Sequence, residues 1–165
     1  MTVTIDTLSQ SAAIEIQTQT GASLLDAAKK RTSWRGILPS TQDYYVSVIG
    51  GSSAENFTLI VSIPARIRFA AGTDSTTVSG KTAVGYVVSY VLFASAGQKM
   101  TVKLSGTNGE VALAIYGFAD GQPYLRAQSE VTEWEQTLPS TQDYIVEVVP
   151  RAGQVVNYTL TVKIK

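Results

Sequence analysis

The chain contains no cysteine and no histidine. Without thiols there are no disulfides and no cysteine nucleophile. Without imidazoles, histidine-based triads and nearly every zinc site are excluded. Charge is sparse and balanced, with 13 basic and 13 acidic residues and a formal net charge of zero. No basic excess marks a nucleic-acid or anionic-membrane partner. Near-zero charge also gives little repulsion between copies, so self-association is tolerated. No apolar run approaches the roughly 18 residues of a membrane helix, so membrane insertion is not expected. The first residues, MTVTIDT, have neither a charged n-region nor an apolar h-region, so no signal peptide is expected in this chain. The lack of cysteine leaves the redox compartment open and is compatible with secretion.

What the chain does have is a repeat. WRGILPSTQDY at Trp34–Tyr44 returns as WEQTLPSTQDY at Trp134–Tyr144. Each copy runs into an alternating segment, YYVSVI or YIVEVV, and then into a second, NFTLIVSI or NYTLTVKI. A repeat at this distance means that one structural unit occurs twice. Hydrophobic residues make up 44% of the 165, enough for a packed core.

The alternation is that of β-strands, with side chains on opposite faces every second residue. Met1, Val3 and Ile5 oppose Thr2, Thr4 and Asp6; Tyr158, Leu160, Val162 and Ile164 oppose Asn157, Thr159, Thr161 and Lys163. Asn108-Gly109 signals a type I′ hairpin turn, whose central residues need positive φ. Residues 22–31 (ASLLDAAKKR) read as a loop with at most one helical turn. Pro64 lacks a backbone donor and marks a junction. Short strands at intervals of roughly 8–12 residues point to an all-β fold of antiparallel β-sandwich units in tandem.

The copies are unequal. Residues 1–63 match 100–165 only, and nothing before Met1 matches Pro64 to Lys99. Residues 64–165 have the length of a whole sandwich, near the roughly 100 residues typical of such domains. Residues 1–63 are the back half of one, and half a sandwich leaves an apolar face and open edges. Met1, Val3, Ile5, Ile14, Ile16, Phe57, Leu59, Val61 and Ile63 are therefore expected to form an assembly surface. The expected partners are other copies or further repeats of a longer chain.

In the second unit, Tyr90-Val91-Leu92 before Ala96-Gly97-Gln98, then Met100-Thr101-Val102 and Val111 to Tyr116, form a characteristic series. With the ending Leu138-Pro139 to Val148 and Tyr158 to Val162, they resemble a bacterial pre-peptidase C-terminal (PPC-like) β-sandwich domain. Asp143 stands where that family usually has glycine. The resemblance implies secreted bacterial proteins, often tandem repeats or appendages of proteases, with non-catalytic roles. Some members bind calcium or collagen, but no clustered carboxylates carry either property over to this chain.

Individual residues offer little chemistry. Tyr44 and Tyr144 open a strand after a bend and read as corner tyrosines whose hydroxyls tie back to the preceding loop. Trp34 and Trp134 read as caps over a sheet end, with binding anchors as the rival reading. Asp43 and Asp143 could be paired carboxylates, but they fall in separate units and read as turn stabilisers. Asp74, Glu110 and Asp120 are scattered turn residues without the spacing of a calcium loop. Asn56 and Asn157 head sequons that arise from strand patterning. Tyr86 to Ala94 is apolar on both faces, suiting either a central strand or a buried contact. No catalytic residue, cofactor or metal is expected. The expectation is a non-enzymatic, extracellular or cell-surface structural protein assembling into a layer, sheath or filament. An accessory substrate-binding module of a secreted hydrolase is the alternative.

Overall fold

The structure, a computed structural model, describes residues 1–7, 12–54, 56–83, 86–106, 110–151, 153 and 155–165. The Asn108-Gly109 turn lies outside them. The chain divides into two compact units, Met1–Ile63 and Pro64–Lys165. Both are built almost wholly of antiparallel β-sheet.

In unit 1, β1 (Thr2–Thr7), β2 (Ala13–Thr18), β3 (Ser23–Leu25), β4 (Ser33–Arg35), β5 (Tyr44–Ile49) and β6 (Phe57–Ser62) form two three-stranded sheets. Their orders are β4-β1-β6 and β3-β2-β5. Alternation puts Val3 and Ile5 of one sheet against Ile14 and Ile16 of the other, and all four are buried. Leu25 closes the same core. The expected single apolar surface is therefore corrected. Val3, Ile5, Ile14 and Ile16 fill the interior of unit 1, and Met1 and Leu59 are half-buried against it. Only Phe57, Val61 and Ile63 of that set are exposed.

Unit 2 contains β7 (Ala65–Arg66), β8 (Ser75–Lys81), β9 (Val88–Ala94), β10 (Lys99–Gly106), β11 (Val111–Gly117) and β12 (Pro123–Leu125). They are followed by β13 (Glu133–Thr137), β14 (Gln142–Pro150) and β15 (Asn157–Ile164). One sheet has the order β13-β10-β15-β8, the other β12-β11-β14-β9-β7. Met100, Val102, Leu160 and Val162 of the first pack with Tyr90, Leu92, Leu113, Ile115, Tyr144 and Val146 of the second. The pair β7–β9 is parallel, the one departure from an antiparallel ladder among the described strands.

The repeat reaches fine detail. Residues 22–31 supply β3 and a single 3₁₀ turn, Ala27–Lys29, matched by Ala127–Ser129 in unit 2. Asp26 caps the first turn by accepting from the Ala28 amide at 2.8 Å. Lys30 and Glu130 follow with φ of 49° and 54°, a left-handed conformation usually left to glycine. Each amide donates back to the carbonyl of Ala27 or Ala127, closing the turn.

Candidate interaction surfaces

The two outer faces of unit 2 differ in chemistry. On the four-stranded sheet, outward positions are hydroxyl or charged. Thr77 and Thr161 are hydrogen-bonded across strands at 3.0 Å, and Thr101 donates to Glu135 at 2.8 Å. Lys103 pairs with Glu133 and Lys163 with Asp74. These side chains partner one another over a wetted surface.

On the five-stranded sheet the outward positions are mixed: Ala112, Ala114 and Ile145 are buried, Ser89 donates to Glu147 at 3.3 Å, and Phe93 is exposed. Tyr116, Ile145 and Val91 stand in one row, since Tyr116 pairs with Ile145 and Ile145 with Val91. Phe93 stands in the next row opposite Asp143 and is 57% exposed. Phe118 extends that row, its amide donating to the Asp143 carbonyl at 2.9 Å. From β7, on the far side of β9, the Arg66 guanidinium reaches Asp143 and donates to both carboxylate oxygens at 2.9 Å. That charge-assisted fork, opposed only by slight burial, holds the guanidinium above its usual pKa. An exposed aromatic beside an ordered arginine is the composition of an interface anchor. Asp143 is therefore a strand residue holding Arg66, which corrects its reading as a turn stabiliser. The two-faced strand β9 divides the same way: Tyr90 and Leu92 are buried, while Val91 and Phe93 face outward.

At the adjoining turn, Asp120 accepts from the Gln122 amide (2.9 Å), the Tyr124 hydroxyl (2.8 Å) and the Gln142 side-chain amide (2.7 Å). Burial acts to raise the Asp120 pKa, but these bonds outweigh it and keep the carboxyl below its usual range. Burial and then the Asp120 bond push the Tyr124 phenol up to about 12. The network fixes the loop between β11 and β12.

The remaining candidates are structural. The Tyr144 hydroxyl donates to the Ser140 carbonyl at 2.6 Å, and the Tyr44 hydroxyl donates to that of Ser40 at 2.7 Å. Trp34 and Trp134 are half-buried against their own unit's core. Asp43 and Asp143 lie in different units. Asp74 and Asp120 are held by Lys163 and by the turn network. Among the described residues no three potential metal ligands cluster. Sequence reasoning missed Arg66, whose partner is 77 positions away. The excess of apolar residues on the outer face of β9 was the available signal.

Comparison with known proteins adds one lead. No protein-family profile matches the chain, and no curated protein matches it in sequence. Among solved structures it is similar to PliG of Aeromonas hydrophila, a periplasmic inhibitor of g-type lysozyme. The match has 25% identity and a TM-score of 0.55, and covers 62% of this chain and 96% of that one. The share of this chain equals about the length of unit 2. A PliG mutant from Escherichia coli (21% identity, TM-score 0.48, 62% and 97% covered) is also similar. So is PliG of Salmonella Typhimurium (22%, 0.48, 64% and 100%).

The Aeromonas hydrophila neighbour corrects the expected function. It is an inhibitor of an enzyme, so the readings of a self-associating layer, sheath or filament and of self-association as the partnership are overturned. The alternative of a hydrolase's accessory module gains no support. A repeat reports how many units are present and is silent about what they touch. Among the described residues, no helix is long and apolar enough to cross a membrane.

Proposed function

We propose that unit 2 is a non-catalytic inhibitor domain that works outside the cytoplasm, in the cell envelope or beyond it, by docking on a lysozyme of g type. The observation that carries this is the likeness to PliG, which spans nearly all of that protein. Inhibition by docking needs no reacting group here. It needs a rigid surface that loses little entropy on binding. The part of the five-stranded sheet around Phe93 has that character. Phe93 is its exposed anchor, and the Arg66–Asp143 fork is already ordered before a partner arrives. The PPC-like strand pattern is a proposal about the same scaffold and adds no ligand to it.

The test is titration of the full chain against a g-type lysozyme acting on peptidoglycan. Lytic activity falls in proportion to added chain, and Phe93→Ala weakens inhibition by about tenfold, the loss of one anchor residue. Full lytic activity at large molar excess of the chain refutes the reading. Undiminished inhibition by Phe93→Ala moves the contact to another surface of unit 2.

A further inference from the structure

The repeat sets two turns at one position of the fold. In unit 1 the turn from β2 to β3 leaves Thr18, which pairs with Tyr44. In unit 2 the turn from β11 to β12 leaves Gly117, which pairs with Tyr144. Each turn is closed by one amide, Thr18 donating to the Ala22 carbonyl at 2.9 Å and Gly117 to that of Gln122 at 3.0 Å. Each carries a glycine of positive φ, Gly21 at 85° and Gly121 at 64°. Between the closing residues lie 19–21 in unit 1 and 118–121 in unit 2, so the second turn is longer by one residue.

The longer turn is also tied differently. In unit 1 the Thr18 hydroxyl accepts from the Ala22 amide at 3.0 Å and lies 3.1 Å from that of Thr20. In unit 2 Gly117 has no side chain, and the Asp120 carboxylate takes that space. A Cβ on Gly117 would lie 2.0 Å from Asp120 Oδ1 and 2.5 Å from Gln142 Nε2. Buried on β14, Gln142 accepts from the amides of Ala119 at 2.9 Å and Asp120 at 3.3 Å, and donates to the Asp120 carboxylate at 2.7 Å. Gln42, its counterpart, donates to the Ser40 hydroxyl at 2.6 Å. Unit 1 thus closes this turn without the added residue and without a carboxylate. Neither is a requirement of the fold.

What the longer turn adds is an aromatic residue beside the ion pair. Phe118 is half-buried and adjoins Asp143, whose other neighbour in the row is Phe93 and whose carboxylate holds Arg66. We propose that Phe118 is a second anchor of the surface that docks on the lysozyme, and that Asp120 and Gln142 are its positioning residues. The proposal rests on the inhibitor reading of unit 2. Aromatic residues and arginine dominate the energetics of such contacts. An anchor on a loose turn loses affinity to the entropy of ordering it, and a turn already bonded to β14 avoids that cost.

The test is a double-mutant cycle in the full chain, read as inhibition of a g-type lysozyme. Phe118→Ala removes the ring and should weaken inhibition about tenfold. Asp120→Asn keeps the shape but leaves one oxygen for three donors. It should speed hydrogen exchange at Ala119 to Gln122 in the free chain and weaken inhibition about threefold. A positioning residue acts through what it positions, so Asp120→Asn should add almost nothing once Phe118 is alanine. A merely structural role would weaken both backgrounds equally. Undiminished inhibition by Phe118→Ala overturns the second anchor, and multiplying losses overturn the positioning role, while the inhibitor reading stands in either case. If the unaltered chain fails to inhibit, the inhibitor reading falls and this proposal falls with it.

Discussion

Tyr144→Phe removes a single oxygen from a side chain that is fully buried. The hydroxyl donates to the Ser140 carbonyl at 2.6 Å, four residues back, and ties the LPSTQD bend to the strand it leads into. The ring, 5.5 Å from that of Tyr124, keeps its packing in the variant. The change removes this bond together with the hydroxyl's interaction with the Tyr124 phenol. One such bond has a net worth of about 0.5–1.5 kcal/mol, with more lost if the carbonyl is left dry. Ser140 is half-buried, so water reaches its carbonyl in part. A loss of about 1 kcal/mol follows, which lowers the midpoint of a domain of 60–100 residues by about 4–8 °C. Unit 1 supplies the control. Tyr44 makes the same bond to Ser40 at 2.7 Å and accepts from the Ser40 amide and the Gln42 side chain at 3.2 and 3.4 Å, but Ser40 is exposed and water replaces the hydroxyl. Tyr44→Phe should change stability much less. Thermal and urea unfolding, with hydrogen exchange to assign the transition to a unit, read both variants. An unchanged midpoint for Tyr144→Phe, or a larger loss for Tyr44→Phe, refutes the link between burial and the worth of the corner bond.

Further outcomes follow from the same geometry. Gly80→Ala should destabilise unit 2 by about 1–3 kcal/mol, because the new Cβ would lie 2.5 Å from the Tyr158 hydroxyl oxygen; denaturant titration checks this. Arg66→Ala should cost less than about 1 kcal/mol, since the ion pair is partly exposed and screened by solvent, and its effect should shrink in high salt. Tyr124 has its folded-state pKa raised from 10 to about 12, so its contribution is complete below pH 10 and is lost as pH rises towards 12. Tyr124→Phe should remove that alkaline loss in a pH series of melting temperatures. A chelator should leave the melting temperature unchanged; a clear fall would reveal a bound cation.

Much of the fold is legible in the sequence, because strand alternation has a period of two and the repeat supplies two readings of the same pattern. Tyr158 to Ile164 shows this, its four apolar residues buried and its polar ones turned outward. What escapes sequence reading is pairing at long range. The two residues of β7 are too few to carry a periodic signal, so their parallel register beside β9 could not be foreseen. Asp143 looks like a turn residue until Arg66 is placed against it. Lys30 and Glu130 adopt left-handed backbone without glycine to announce it. The interior of unit 1 escapes sequence reading for a related reason. Alternation says which residues share a face, but not that two three-stranded sheets close on each other and hide Val3 and Ile14.

The strand order of unit 2 has a consequence for how the chain is made. β8 and β9 come early in unit 2, yet their principal neighbours in the sheets are β15 and β14, the last two strands of that unit. The last strand of unit 2, β15, lies in the interior of its sheet, between β10 and β8. Lys165 takes part as well, exchanging two backbone hydrogen bonds with Lys99. Both sheets therefore stay incomplete until Asn157–Ile164 has been made, and contacts of such sequence separation form slowly. Loss of Asn157–Ile164 removes an inner strand that earlier parts of the chain cannot replace. Chains cut before Asn157 should accordingly leave unit 2 open to protease, while chains that include Asn157–Lys165 resist it.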